Sequence, residues 1–154
     1  MKKITLVIVL AVCLLFMFSC KTTSSSSSSA LTVVPTTAIE EAFVQIYDKY
    51  SNELILNGAQ SHTVRSGDTL YRIATAYYPD GYYYPVIMLA SKSVVLDPDK
   101  IAPGMVLTIP DLQRNLNSRG AREAIKGAIL ECADIEKSRN YPGVDKMKEL
   151  ANSL

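Results

Sequence analysis

The sequence predicts an α+β fold, and three observations carry that prediction. Residues 63–65 and 107–109 alternate apolar and polar side chains and read as two short strands. Between them lie two stretches whose apolar residues recur with the period of a helix. On either side are further amphipathic stretches, one before the unit and two after it. Together they give a βααβ unit over residues 61–110, an N-terminal amphipathic helix over 37–57 and a helical hairpin within 111–154.

The chain has 154 residues, enough for one small domain or two very small ones and too few for a large multidomain enzyme. It opens with Lys2-Lys3 and 15 residues, 4–18, that are apolar except for Thr5. A helix needs about 20 apolar residues to cross a bilayer, so this run is too short to span and reads as a secretory signal over residues 1–19. Met17-Phe18-Ser19-Cys20 resembles the lipobox of bacterial lipoproteins. Ser19 and Cys20 fit that box, whereas Leu is preferred at the place of Met17 and a small residue at that of Phe18. The resemblance implies cleavage before Cys20 and lipidation of its thiol and amine. The alternatives are ordinary cleavage nearby or an uncleaved anchor.

Residues 20–36 then form a tether. Lys21-Thr22-Thr23 and six consecutive serines are too polar to bury and too small to pack. As a flexible coil, residues 21–37 reach roughly 20–25 Å. More than one acyl chain on Cys20 would anchor the protein stably, because each buried methylene contributes about 0.8 kcal/mol and a single chain holds only marginally. The expected location is therefore outside the cytoplasm, lipid-anchored in the cell membrane or outer membrane and facing the periplasm or wall.

Without Lys2 and Lys3 the balance is 14 basic to 15 acidic side chains. Such a chain has no basic field for a phosphate backbone, so nucleic acid is not an expected partner. Cys13 lies in the signal and Cys132 far downstream, so no disulfide framework is legible.

Each folded element has its own signal. Thr37-Ala38-Ile39-Glu40 is a capping box, and Ile39, Phe43, Ile46, Tyr47, Tyr50 and Leu54 share one face as far as Asn57-Gly58. Val64 points inward from the first strand, and Ser66-Gly67 turns the chain. Asp68 is placed to cap a helix with the stripe Leu70, Ile73, Ala74 and Tyr77. Pro79-Asp80-Gly81 breaks it. Pro85, at a first helical position, opens the next helix through Val86, Ile87, Leu89 and Ala90. Asp97-Pro98 and Pro103-Gly104 bracket a loop, and Pro110 stops the second strand. Asn117-Ser118 caps a helix with the stripe Ala121, Ile125, Ala128, Cys132 and Ile135. After a turn at residues 140–143, Val144, Met147, Leu150 and Ala151 mark the hairpin's second helix.

The segment from His62 to Leu70, the pair Ile73-Ala74 and the segment from Asp97 to Pro110 resemble a LysM domain. That family's pattern is Tyr-Thr-Val-x-x-Gly-Asp-Thr-Leu, then Asn-Pro-Asp-x-Ile-x-Pro-Gly-x-x-Leu-x-Ile-Pro. Here His62 replaces an aromatic, Tyr84 a frequent Trp, Ser91 a common Asn and Ala102 a common Tyr. The resemblance implies non-catalytic binding of glycans containing N-acetylglucosamine, chiefly peptidoglycan, in a shallow groove between two loops. Carried over by position, Gly67, Asp68, Thr69 and Leu70 form one wall and Asp97, Pro98 and Ile101 the other. Residue by residue, Leu70 and Asp68 favour structural roles, in the core and at a helix start; as a set the seven favour binding.

Six tyrosines lie between Tyr71 and Tyr84. They read first as caps on the edges of a core without Trp, and second as an aromatic platform for a ligand. No enzyme is expected. His62 is the only histidine, and there is no nucleophile elbow, metal-spaced cysteine pair or cofactor motif. The acid pairs Asp97 with Asp99 and Asp134 with Glu136 read as turn formers and solvated charges. The rival reading, from a different class, is an envelope adaptor that binds a protein partner through the 121–135 face and uses the LysM-like part as scaffold.

Overall fold

The computed structural model describes residues 37–154. The expected signal, the expected lipidation site Cys20 and the expected tether lie outside the described residues. Among those described, no helix is long and apolar enough to cross a membrane.

Helix α1 spans Ala38–Tyr50 and begins with the expected capping box. The Thr37 hydroxyl accepts from the Glu40 amide at 3.2 Å, and the Glu40 carboxylate accepts from the Thr37 amide at 3.2 Å. Phe43, Ile46 and Tyr47 are buried, but Ile39 is exposed. The helix stops at Tyr50 and tightens into a 3₁₀ turn over Ser51–Glu53, short of Asn57. The stripe thus continues past the helix through Leu54, which still packs on the core from extended backbone.

Strands β1 (Gln60–Thr63) and β2 (Val106–Ile109) pair antiparallel, with Gln60 opposite Ile109 and Thr63 opposite Val106. The first strand therefore starts earlier than residue 63. Val64 follows it, buried, and continues the pairing: its amide donates to Met105 at 2.8 Å and its carbonyl accepts from Gly104 at 2.9 Å.

Helices α2 (Leu70–Tyr77) and α3 (Tyr84–Ala90) fill the crossover between the strands. Leu70, Ile73 and Ala74 of α2 are buried as the stripe requires, while Tyr77 is exposed and Tyr78, the C-cap, is buried in its place. The extended backbone at Tyr78 redirects its ring, and its hydroxyl donates to the Pro110 carbonyl at 3.1 Å. Pro85 sits second in α3, after a 3₁₀ turn over Gly81–Tyr83, and the helix is buried from Tyr84 to Leu89. Ser91 joins α3 to the sheet edge: its hydroxyl accepts from the Thr108 amide at 2.9 Å.

Helix α4 (Leu112–Asn117) was not legible as a separate element. Its Asn115 is fully buried, and its side chain satisfies both the amide of Ile55 (2.8 Å) and the carbonyl of Ile55 (3.0 Å). That pairing fastens the segment entering the sheet to the segment leaving it.

Helix α5 (Arg119–Ser138) and helix α6 (Val144–Asn152) form the expected hairpin. Helix α5 packs on α1, α3, α4 and α6, and this is why its buried face is broader than one stripe. Ala124, Ile129, Ala133 and Glu136 join Ala121, Ile125, Ala128 and Cys132 inside. The core of residues 61–110 is thereby continuous with that of the flanking helices. The face an adaptor would have used is spent within the fold. Cys132 lies in this core, and burial pushes its thiol above the ordinary range, which makes it inert.

Candidate functional site

The first wall begins with a turn. Gly67 adopts φ +85°, a backbone conformation that side chains other than glycine rarely take, and it is exposed. Its neighbour Asp68 accepts the Arg65 amide at 2.9 Å and the His62 Nε2 at 3.1 Å. Asp68 therefore locks the turn and does not cap α2. The cap is Thr69, whose hydroxyl accepts from the Arg72 amide at 3.2 Å. His62 is fixed on its other side by the Tyr77 hydroxyl, 3.1 Å from Nδ1, and by an edge contact with that ring. A histidine in place of the family's aromatic residue thus ties the strand to both ends of α2.

The second wall is a 3₁₀ turn over Pro98–Lys100. Asp97 caps it, accepting the Asp99 amide at 3.0 Å, and is buried. Its carboxylate also accepts from Arg139 Nη1 at 3.0 Å, and Arg139 Nη2 donates to Asp99. Lys100 donates to Glu40 at 2.9 Å, which holds the same turn to the start of α1. Ile101 is half-buried against the core.

The two walls meet in a cleft of about 210 Å³. Of the seven sequence-predicted residues, Thr69, Leu70 and Pro98 line it. Gly67, Asp68, Asp97 and Ile101 lie outside its lining, where they shape the two loops. Asp68 and Asp97 have their carboxylates occupied by protein donors, so their part in the site is to position backbone.

The remaining lining is Tyr71, Tyr84, Asp99, Glu136 and Tyr141. Glu136 corrects the expectation of a solvated charge, since it is only 3% exposed. Its partner in that pair, Asp134, is exposed and bound to Lys148 at 2.7 Å. Burial raises the Glu136 carboxyl above its ordinary range against the opposing pull of Arg139, whose Nη1 lies 3.5 Å away. A signal for it was present: Glu136 falls four residues after Cys132, on the apolar stripe of α5. Tyr141 had no such signal, because a turn residue carries no periodicity.

The tyrosines divide between the two readings made of them. Tyr78, Tyr83 and Tyr84 are buried and close the core, as the first reading has it. Tyr71 is exposed at the cleft and meets Tyr82 edge-on, with ring centres 5.0 Å apart.

Comparison with known proteins bears on residues 62–110. The LysM domain model matches residues 62–110. A curated protein of Escherichia coli O6:H1, "Potassium binding protein Kbp", is 45% identical over 53 residues. Those residues are 34% of this chain and 36% of that protein, so the likeness spans about a third of the relative's length. No solved structure matches the chain. Residues 62–110 of this protein are a LysM domain, a binding module whose family takes peptidoglycan and related N-acetylglucosamine glycans.

Proposed function

We propose that the protein is an exported lipoprotein, anchored through Cys20, that holds cell-wall glycan without catalysis in the cleft between its two LysM loops. The observation that carries the reading is the convergence of Thr69 and Leu70 with Pro98 on one opening. A cleft of about 210 Å³ is smaller than most small-molecule pockets and fits about one sugar ring. Leu70 and Pro98, both nearly buried, give the cleft an apolar floor for an acetyl methyl, while the hydroxyls and acetamido group of the sugar suit the polar rim. One such contact is weak. A glycan carrying many copies of the epitope, beside a binder fixed to a membrane, makes rebinding a local event at high effective concentration. The Ser-rich tether supplies the reach.

Sedimentation with insoluble peptidoglycan tests the reading. The purified chain from residue 30 onward is expected in the pellet and is released by soluble N-acetylglucosamine oligomers. Thr69→Asp keeps the helix cap, because Asp serves as well as Thr there, but adds a charge that a bound sugar would have to desolvate. It is expected to bind at least about tenfold more weakly, equivalent to about 1.4 kcal/mol, with an unchanged circular dichroism spectrum. Wild-type protein that stays in the supernatant overturns the proposal.

A further inference from the structure

We propose that the turn after α5 completes the glycan cleft, with the Tyr141 ring lying on a sugar face and the Glu136 carboxyl bonding one of the sugar's polar hydrogens. The inference rests on the glycan reading and extends it beyond residue 110, where the LysM domain ends. Both residues line the same cleft as Thr69, Leu70 and Pro98.

The turn is built to hold Tyr141 in place. Asn140 takes φ 57°, the left-handed conformation that commonly ends a helix. The Arg139 and Tyr141 amides then both donate to the Glu136 carbonyl, at 3.1 and 3.0 Å. Tyr141 is thereby anchored through its own backbone to the residue beside it in the cleft. Arg139 braces the arrangement from the other side, bonding Asp97 and Asp99 of the opposite wall as well as approaching Glu136. A Cβ on Gly143 would lie 2.5 Å from the Tyr82 ring and 2.8 Å from the Tyr141 ring, so a glycine there lets both rings close on the backbone. With Tyr71 in edge contact with Tyr82, the rings form a continuous aromatic border from α2 to the hairpin turn.

The chemistry fits a pyranose. One face of such a ring is a patch of C–H groups suited to an aromatic surface, and its edge carries hydroxyl and amide hydrogens. Glu136 is a nearly buried acceptor in the lining, where Arg139 Nη1 donates to it at 3.5 Å and the carboxylates of Asp97 and Asp99 act on it electrostatically. One such bond leaves the carboxylate acceptor capacity that a sugar hydroxyl or amide hydrogen in the cleft can meet.

Calorimetric titration of the purified protein with the N-acetylglucosamine tetramer tests the inference. Tyr141→Ala is expected to weaken binding about tenfold, Tyr141→Phe to stay within about twofold, and Glu136→Leu to weaken it about fivefold. Should Tyr141→Ala fail to fold, the wild-type protein answers instead, because its Tyr141 ring resonances must shift on titration. Wild-type affinity in Tyr141→Ala, or Tyr141 resonances that do not move, overturns the inference. If Thr69→Asp has meanwhile lost binding, the glycan reading stands without the hairpin. If the wild-type protein takes no oligomer, both fall together.

Discussion

Asp68 shows how a residue at the site can act through position alone. Its carboxylate gathers the Arg65 amide and the His62 ring, and these bonds hold its pKa below the ordinary Asp range. A carboxyl shifted down in the folded state stabilises the protein wherever it is ionised, and that contribution disappears as pH falls through the folded-state value. Asp68→Asn is therefore expected to melt below wild type near pH 6, with the two curves converging in strong acid, below about pH 4. Thermal melts across that range check it; curves that stay parallel would mean the carboxylate is not linked to folding. Asp97 likewise acts through position on the opposite wall, where Arg139 occupies its carboxylate. Both residues belong to the motif, but only Asp68 finds its partners within it: no spacing of residues links Asp97 to Arg139, 42 positions away.

At the scale of elements, the contact between α1 and α5 is set by a glycine. A Cβ on Gly127 would lie 2.6 Å from carbons of the Tyr50 ring. That ring sits beside α5 because its hydroxyl donates to Glu131 at 2.7 Å, where Lys49 also binds. Gly127→Ala gains helix propensity of about 1 kcal/mol but forces the ring away, at a cost of about 1–3 kcal/mol. The expected net is a loss of about 1 kcal/mol, read as a lower denaturation midpoint. In a Tyr50→Ala background the same substitution is expected to stabilise, because only the propensity remains. Equal effects in both backgrounds would show that the glycine does not set the helix contact. Helix ends were less legible than helix faces. The capping box at Thr37 was readable because its bonds span three residues, whereas the stop at Tyr50 was not, since Leu54 keeps the apolar spacing going after the helix has ended.

For the molecule as a whole, the LysM segment and the helices around it share one core. Helix α3 is buried on all sides, against the sheet on one and α5 on another. Asn115 joins the chain on both sides of the sheet. Heating is expected to give one cooperative transition for residues 37–154. A chain ending at residue 110 uncovers the face of α3 that packs on α5, and Tyr84, whose hydroxyl meets Met147, and is expected to melt at least about 10 °C lower or without cooperativity. A fragment as stable as the full chain would show that the hairpin is not part of the fold's core, and would weaken the case for its share in the cleft.

The order of the main elements, the capping box at Thr37 and the two loops of the LysM motif are determined by the sequence alone, because each depends on groups a few positions apart. Periodicity likewise shows which face of α5 is apolar. What that face covers is a different matter, decided by a packing arrangement that joins residues dozens of positions apart. The chain's folding back on itself turned a face suited to a partner into core, placed Glu136 inside, and brought Tyr141 to the opening between Thr69 and Pro98. A turn residue acquires such a place only from the helix that carries it there.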